Sequence, residues 1–362
     1  MLTIIDGREN TRLRCEVHDL WLSSMEYSSS STVRMSMQDA KALGVEALRR
    51  VGLDEEEADI IADHVVDAAM CGYGYSGLPK LLNLIESPRF AQPRQAMTWS
   101  NRTGPVCLLD GGNHNGMYVL HQAAQSAAER AEIHGMAMVG VCNTWMSGRS
   151  AYYVEMLSKA GYVGIHTVAS SPVVAAPGGR APVLGTNPIA FAFPTETEPL
   201  LIDMGTSAFM MTEVRYRRRL GIQLPEGVAL DRYGAPTTDP GAAADGLLLP
   251  FGGHKGFALS LAIHALGLMC STQELPHQGG PGALMIAVRP DLSGSIDAYR
   301  SALSQWLQSV KDAPRQAGMG DIRLPGERSA RARAAAELNG IEVAAGVVDA
   351  LRAHAAGSSV GL

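Results

Sequence analysis

A glycine-rich segment with two basic side chains is well suited to binding an anion. It reads Gly252-Gly253-His254-Lys255-Gly256 and precedes the apolar run Phe257–Met269, which predicts a helix. Free N–H groups, the helix dipole and the Lys255 ammonium would converge there on an anion. The spacing differs from that of a P-loop, so hydrolysis of a nucleoside triphosphate is disfavoured. Simple capping of the helix explains the same glycines equally well.

A second candidate region, Tyr162–Ser207, alternates apolar runs with loops rich in glycine and hydroxyl side chains. The runs Val163–Val168, Pro188–Phe193 and Pro199–Met204 predict short strands. The loops between them would let a ligand approach the backbone and would offer N–H groups to anions. A sheet with tight turns and no ligand accounts for the same composition. The loop residues that could bind are Ser170, Ser171, Gly178, Gly179, Gly185, Thr186 and Ser207.

The segment Cys71–Gly77 contains the spacing GxGxxG, which is typical of dinucleotide-binding loops. In proteins that use it, the glycines follow a strand and open a helix. Here they follow a long amphipathic pattern over residues 54–70, and Gly72 is placed to end that helix. The motif therefore does not predict a Rossmann fold.

The composition predicts a compact protein of two or three lobes: of 362 residues, 46% are hydrophobic and 18% charged. A net charge of -6 and a pI of about 5.9 argue against nucleic acid or an anionic membrane as a partner. Five scattered cysteines without a CxxC pair indicate a reducing compartment, the cytoplasm, and predict no metal site. No apolar run is long enough to span a bilayer, and we expect no export signal.

Periodicity and caps predict an α/β fold with a mixed sheet. Ser36 and Asp54 cap the first two helices. The Gly/Pro/Asp-rich segment Leu224–Leu249 is too long for a connector, so we expect it to wrap a surface or cover a site. The predicted strands are 106–109, 136–142, 163–168, 188–193, 199–204 and 282–288, and the predicted helices are 36–50, 54–70, 78–85, 116–134, 150–159, 209–219, 257–269 and 296–311, before a closing helix.

Six short motifs, each weak alone, occur in one order along the chain. They are Gly185-Thr186-Asn187-Pro188, Asp203-Met204-Gly205-Thr206-Ser207, Leu224-Pro225-Glu226-Gly227, Pro236-Thr237-Thr238-Asp239-Pro240, Gly252-Gly253-His254-Lys255-Gly256 and Leu324-Pro325-Gly326-Glu327-Arg328. From about Ser36 onward the chain resembles the malate/L-lactate/sulfolactate dehydrogenase family. That family consists of non-Rossmann NAD(P)-dependent oxidoreductases and includes ureidoglycolate dehydrogenase, diketogulonate reductase and Δ1-piperideine-2-carboxylate reductase.

The resemblance implies a non-Rossmann mixed-sheet fold that binds NADH or NADPH, with a helical N-terminal lobe, in a homodimer whose active site lies near the subunit interface. We expect a poorly ordered extension over 1–34, a helical lobe over 35–105 on which helices of 327–356 pack, and a cofactor-binding sheet domain over 106–326. The residues that the resemblance places at the cofactor are Ser170, Thr186, Asn187, Asp203, Met204, Gly205, Thr206, Ser207, His254, Lys255, Pro325, Gly326 and Glu327.

The departures from the family pattern fall on the residues expected to act on substrate. The first family signature, Arg-Gly-x-x-Ser-His-Gly-x-x-Arg, aligns with Cys71–Lys80, so that Tyr75-Ser76 replaces Ser-His and Lys80 replaces the substrate-binding arginine. The second signature, Asn-Ser-x-His-x-Gly, aligns with Asn143–Gly148, and Met146 replaces its histidine. Lys80 can still pair with a substrate carboxylate, but as a point charge without the arginine fork.

Loss of both histidines changes the chemistry that the site can support. Reduction of a ketone by hydride needs a proton donor for the developing alkoxide, and methionine has no proton to donate. Reduction of an iminium carbon needs no proton donor, because hydride transfer leaves a neutral amine. We therefore predict reduction of a cyclic imine or an unusual 2-oxo acid. Tyr75, or else Tyr73 or Cys71, could supply a proton, although packing explains both tyrosines as well.

Two other functions stay open from the sequence alone. The chain could be a non-redox enzyme, such as a cyclase or isomerase, that kept the fold after losing hydride chemistry. It could also be a catalytically silent binding subunit retained for assembly.

Overall fold

The computed structural model describes residues 31–101, 103–270, 282–292 and 294–357. The predicted N-terminal extension lies outside the described residues up to position 30. Residues 32–34, which we assigned to that extension, instead belong to strand β1 (Thr32–Met35). This strand pairs antiparallel with β13 (Ile341–Ala344) near the other end of the chain. The pairing of two distant segments is a feature that local sequence patterns do not reveal.

The helical lobe combines both ends of the described chain. Its first two helices begin at the predicted caps, since Ser36 Oγ accepts a hydrogen bond from Asp39 N at 3.0 Å and Asp54 Oδ1 accepts one from Glu57 N at 2.8 Å. The helices of this lobe are α1 (Met37–Arg50), α2 (Glu55–Met70), α3 (Pro79–Ile85), α10 (Glu327–Asn339) and α11 (Ala345–Ala355). Helix α10 packs on α2 and α11 packs on α1.

A seven-stranded mixed sheet forms the centre of the molecule, with the order β2-β3-β4-β12-β5-β8-β9. Only the β3–β4 pair is parallel among its described pairs. Its strands are β2 (Thr98–Ser100), β3 (Val106–Asp110), β4 (Met136–Cys142), β5 (Val163–Ala169), β8 (Ile189–Phe193), β9 (Leu200–Met204) and β12 (Gly282–Val288). The α/β class and the mixed sheet are as predicted.

Three helices cover this sheet. Val139 and Val141 of β4 enter the core beneath α4 (Gly116–His134), and α5 (Ser150–Lys159) packs beside it on β5 and β8. Gly140 points to the opposite face, where a Cβ would lie 3.1 Å from Cys270 Sγ just beyond α8 (His254–Leu268). Helix α8 begins three residues before the predicted start.

A smaller four-stranded sheet has the order β10-β11-β6-β7. It includes β6 (Val174–Ala175) and β7 (Pro182–Leu184), and packs with α6 (Met211–Leu220) around a core of its own. The predicted covering segment 224–249 instead supplies β10 (Ala229–Leu230), α7 (Pro240–Ala244) and β11 (Leu247–Leu248) to this unit. Helix α9 (Ile296–Lys311) follows the last strand of the central sheet.

The GxGxxG segment lies at a helix end, as the sequence analysis predicted. Gly72 follows α2 with a φ of +81°, and a 3₁₀ turn, Gly74–Ser76, leads into α3. Cys71, Cys107, Cys142 and Cys270 are free and buried, whereas Cys15 lies outside the described residues. Across the described ranges, no helix is long and apolar enough to cross a bilayer, and no group of three or more metal-ligating side chains is found.

Candidate functional site

A cavity of about 400 Å³ lies between the helical lobe and the central sheet. It is lined by all four side chains that we predicted to act on substrate, Tyr75, Ser76, Lys80 and Met146. Five of the predicted cofactor residues, Ser170, Thr186, Asp203, Met204 and Gly205, line the same space. Residues from separate segments of the sequence therefore form its opposite walls. We call the wall of residues 170–210 the sheet wall and the wall of residues 73–80 and 142–150 the lobe wall.

Asn187 holds the sheet wall together from behind. Its side chain is fully buried, and its Oδ1 accepts a hydrogen bond from Ser170 N at 2.9 Å. Its Nδ2 donates to Ser260 O at 3.1 Å and to Ser260 Oγ at 3.0 Å, which joins the wall to α8. Asn187 is thus a positioning residue for Ser170 rather than part of the cavity surface.

The loop after β9 is fastened in the same way. Thr206 is buried, and both its N–H and its Oγ1 donate to Thr186 O, at 2.8 Å and 3.1 Å. Ser207 Oγ donates to Phe209 O at 2.6 Å. These bonds occupy the side chains of Thr206 and Ser207, which do not line the cavity. Asp203 and Gly205, just before them in the chain, do line it.

Asp203 provides the carboxyl group of the sheet wall. Its Oδ2 accepts a hydrogen bond from Ala151 N at 2.8 Å, at the start of α5. The carboxyl is open to the cavity but enclosed by protein elsewhere, and this desolvation raises its pKa, partly offset by the positive charge of Arg149. A carboxyl in that state can hold or accept a proton.

The lobe wall carries an aromatic pair. Tyr75 and Tyr73 meet edge to face with their ring centroids 6.2 Å apart. The guanidinium groups of Arg149 and Arg328 both lie near the ring of Tyr73, at 5.4 Å and 4.8 Å from its centroid. Burial and the charge of Glu213 raise the pKa of Tyr75 above its usual value, so its phenol stays protonated at neutral pH.

Met146 sits on a loop with unusual backbone geometry. Its φ of +60° lies in the left-handed region, together with Asn143 at +49° and Gly148 at +77°. Methionine rarely adopts this conformation, and the cost is about 1–2 kcal/mol. At Gly148 a Cβ would lie 2.2 Å from His64 Nε2, so only glycine fits there. Strain of this kind concentrates at functional sites.

Arg149 anchors that loop to the lobe. Its backbone N–H donates to His64 Nε2 at 2.8 Å, and its Nη1 donates to Asp67 Oδ2 at 2.7 Å. Arg333 of α10 binds the second oxygen of Asp67 at 2.7 Å and also pairs with Glu155 of α5. This buried ion network ties helices α2, α5 and α10 to the loop that carries Met146.

Lys80 is the main electrostatic feature of the cavity. Its side chain is only 5% exposed, and its ammonium forms no hydrogen bond or ion pair with any described residue. Burial, together with the positive charge of Arg215, lowers the pKa of Lys80 to about 8. Arg215 is exposed on α6, lines the same cavity and is likewise unpaired within the described chain. No histidine lines this cavity in the described part of the chain.

Several predicted cofactor residues lie outside this cavity. His254 and Lys255 are exposed at the start of α8, with the left-handed Gly253 before them. Pro325 and Gly326 line a neighbouring cavity of about 490 Å³. Glu327 is bound to Lys311 at 2.6 Å and to Arg331 at 3.3 Å, away from both spaces. Lys255 as an anion ligand therefore stays a prediction.

The two cavities meet, and together they suit an elongated anionic ligand. Both are lined by Tyr73, Tyr75, Arg149, Asp203 and Met204. The second also exposes Arg323 and Arg328, whose guanidinium groups form no ion pair with a described residue. Gly185 brings the backbone against Ser170, since a Cβ there would lie 2.1 Å from its Oγ. Close backbone approach, hydroxyls and free cations fit a dinucleotide with its phosphates.

Sequence reasoning missed Arg149 and Arg215. Arg149 follows the signature loop and faces a helix 82 residues away, so its burial depends on tertiary contacts. Arg215 belongs to the basic run Arg215-Tyr216-Arg217-Arg218-Arg219, which was the one available signal. The run alone does not distinguish the cavity-lining Arg215 from Arg217, whose Nε bonds Glu213 at 3.1 Å.

Comparison with known proteins identifies the family to which the chain belongs. The family model described as malate/L-lactate dehydrogenase matches residues 35–352, and the chain belongs to this family. The protein is therefore an oxidoreductase of the malate/lactate/sulfolactate dehydrogenase type.

Individual relatives span several activities. A malate/(S)-sulfolactate dehydrogenase of Methanothermus fervidus is 30% identical over 88% of this chain and 96% of its own length. A Δ1-pyrroline-2-carboxylate/Δ1-piperideine-2-carboxylate reductase of Pseudomonas putida is 32% identical over 87% of this chain and 95% of its own. Among solved structures, a dehydrogenase of Sinorhizobium meliloti superposes with a TM-score of 0.81 at 28% identity, covering 90% of this chain and 99% of that one.

Proposed function

We propose that the protein is an NAD(P)H-dependent reductase with a remodelled substrate site, acting on a cyclic imine or an unusual 2-oxo acid that carries a carboxylate. One observation supports this most directly. The cavity holds a buried, unpaired ammonium at Lys80 and no imidazole among its described lining residues. Such a site attracts an anion but lacks the usual acid for ketone reduction.

The chain's own groups would hold cofactor and substrate on different walls. Ser170, Thr186 and the backbone at Gly205 form the cofactor side of the cavity, and Asp203 and Met204 continue it toward the second cavity. When bound, a reduced nicotinamide supplies a hydride. The cations Lys80 and Arg215 attract the substrate carboxylate. Met146 gives the substrate an apolar neighbour that excludes water without taking part in proton transfer.

An iminium substrate makes few demands on such a site. Its nitrogen already carries the proton, so hydride addition to carbon yields a neutral amine directly. The site then only has to bind the carboxylate and orient the carbon, which binding alone can achieve. Both tasks suit the unpaired cations and the strained, firmly anchored Met146 loop.

The experiment combines cofactor binding with a substrate comparison. NADH and NADPH are titrated into the protein and followed by nicotinamide fluorescence. Reduction of Δ1-piperideine-2-carboxylate is then compared with that of pyruvate. We expect binding of a reduced nicotinamide and a kcat/KM for the imine at least tenfold above that for pyruvate. If neither NADH nor NADPH binds, the proposal is refuted. Substrate turnover without any change in nicotinamide absorbance would instead indicate the non-redox alternative.

We further propose that the protein works as a homodimer in the cytoplasm. Helix α8 is mostly apolar, and Ala258, Leu261 and Ala262 are exposed on it, as is Met269 directly after it. Leu261 is 49% and Met269 64% exposed, and large apolar side chains grouped in this way are typical of a protein interface. A second copy of the chain would cover this face. Sedimentation should give a dimer, and Leu261→Asp should give a monomer; a monomeric wild-type protein contradicts this.

A further inference from the structure

Two cations that line the cavity, Lys80 and Arg215, bond to no described residue, whereas Arg89 donates to Asn113 Oδ1 at 2.8 Å and Arg149 pairs with Asp67. Lys80 and Arg215 differ in environment: Lys80 is 5% exposed, whereas Arg215 lies exposed on α6. A substrate carboxylate needs one cationic partner, and the planar fork of arginine matches its two oxygens better than an ammonium does. The cavity therefore has one cation more than carboxylate binding requires, and the buried one bears a transferable proton.

We propose that Lys80 is the acid that protonates the substrate oxygen when this site reduces a 2-oxo acid, while Arg215 binds the substrate carboxylate. This proposal rests on the proposed reductase function and replaces carboxylate binding as the main task of Lys80. It also removes the need for a proton from Tyr75.

The hydride and the proton come from different groups. The carbonyl carbon accepts a hydride, and with it two electrons, from the reduced nicotinamide, while the C=O π pair moves to oxygen. The oxygen takes a proton from Lys80 Nζ and becomes a hydroxyl. Lys80 is left as a neutral amine, which solvent reaching the cavity reprotonates. The products are a 2-hydroxy acid and the oxidised cofactor.

The surroundings of Lys80 favour this role. An unpaired ammonium in a protein interior is costly, so the structure keeps it only where a ligand or a proton acceptor meets it. His64 on α2 interacts with Lys80 but is fully buried, which lowers its pKa and keeps it neutral. Arg215 on α6 is the charge that acts most directly on Lys80. The other titratable or charged groups around the cavity are Tyr73, Tyr75, Arg89, Cys142, Arg149 and Asp203.

Asp203 lies on the sheet wall, where its Oδ2 already accepts a hydrogen bond from Ala151 N. The other competing donor, Tyr75, is less suitable on the same grounds. Its ring packs edge to face on Tyr73 and lines both cavities, and burial together with the charge of Glu213 stabilises its neutral form. An acid works best when its pKa lies near the operating pH. Lys80 at about 8 satisfies this condition, whereas Tyr75 is shifted away from it.

The first test measures the amine itself and needs no turnover. The rate at which acetic anhydride acetylates Lys80 in the folded protein is measured by mass spectrometry at a series of pH values. This rate should rise with pH with a midpoint near 8. Removing the neighbouring cation with Arg215→Gln should move this midpoint upward, because less positive charge disfavours deprotonation. A midpoint near the usual lysine value that Arg215→Gln leaves unchanged overturns the proposal.

The second test separates proton donation from anion binding. Lys80→Arg keeps a cation that cannot give up its proton, so kcat for pyruvate should fall about 100-fold with KM changed less than threefold. Arg215→Gln should instead raise KM at least tenfold with a smaller effect on kcat. The ratio of pyruvate to Δ1-piperideine-2-carboxylate rates should fall about 100-fold in Lys80→Arg, because the iminium needs no proton.

Failure of this inference and failure of the proposed function look different. If the wild-type protein binds neither NADH nor NADPH, the reductase function fails, and the acetylation midpoint still decides whether Lys80 is a poised acid. If the wild-type protein reduces pyruvate and Lys80→Arg does so at the same kcat, the reductase stands and the role of Lys80 is refuted. Cofactor fluorescence and thermal unfolding of each variant exclude a mere folding defect.

Discussion

The two walls of the cavity are built on opposite principles. On the sheet wall, buried polar groups such as Asn187 and Thr206 have their hydrogen-bond partners within the fold. On the lobe wall, the Lys80 ammonium has no partner in the described chain, and Met146 has a left-handed backbone that its side chain disfavours. One wall is thus complete without a ligand, and the other is not. We infer that the first positions a common cofactor and that the second adapts to a particular substrate.

The largest loss of stability is expected when the buried hydrogen bonds of the sheet wall are removed. Asn187→Ala removes the acceptor for Ser170 N and the donor to Ser260, and leaves those buried groups unsatisfied. We expect a loss of about 3–4 kcal/mol in the free energy of unfolding, measured by urea denaturation. Asn101→Ala is the matched control, since Asn101 also has a left-handed φ, of +51°, but is exposed. Equal losses in both variants would show that backbone conformation, not the hydrogen bonds, matters at Asn187.

Acid should destabilise the central sheet through His166 on strand β5, which lies outside the sheet wall. The ring is fully buried with both nitrogens unpaired, and this burial lowers its pKa to about 3. The unfolded chain binds a proton near pH 6.5 and the folded one does not, so stability is present above 6.5 and is lost as pH falls toward 3. The loss is up to about 1.4 kcal/mol per pH unit from this group.

Replacing the imidazole tests that assignment. His166→Phe keeps a ring against Tyr153, whose centroid lies 5.2 Å away, and removes the titrating group. We expect equal or higher stability at pH 8 and an advantage over the wild type of about 2.7 kcal/mol at pH 4.5. The exposed His134→Phe should reproduce neither change. If the unfolding free energy of His166→Phe falls with pH as steeply as that of the wild type, another group causes the acid sensitivity. The buried His64 is then the next candidate.

The sequence predicted the sheet wall far better than the lobe wall. Apolar runs and turn residues around Ser170 and Asn187 fold by local rules, so the strands appeared close to their predicted places. The two-residue strands Val174–Ala175 and Ala229–Leu230 were missed, because so short a pairing leaves no periodic pattern.

Long-range contacts decide the lobe wall, and for that reason sequence patterns could only name its residues. The family signatures located Tyr75, Lys80 and Met146 correctly beside one cavity. They did not reveal that Lys80 lacks a partner or that Arg215, 135 positions later in the chain, would face the same space. Lys255, which its local pattern predicts to be an anion ligand, is exposed at the start of α8, and its role stays a prediction.

A smaller effect is expected from restoring an imidazole to the lobe wall. Met146→His adds a second proton donor beside Lys80, at a position whose left-handed φ histidine tolerates better than methionine. We expect kcat/KM for pyruvate to rise about tenfold, with no gain for Δ1-piperideine-2-carboxylate. Met146→Leu is the control without a titratable group. A gain in the leucine variant, or an equal gain on both substrates, would mean that shape rather than proton donation limits the reaction.

The smallest effect concerns the strain itself. At a φ of +60°, glycine is relaxed and other side chains are not, so Met146→Gly and Met146→Ala differ mainly in backbone conformation while both lose the methionine packing. Met146→Gly should be more stable than Met146→Ala by about 1 kcal/mol in urea denaturation. Such a difference would show that the lobe wall holds Met146 against its own preference, as a wall shaped for a substrate requires. Equal stabilities would mean that the loop relaxes, and the contrast between the two walls would then rest on the unpaired Lys80 alone.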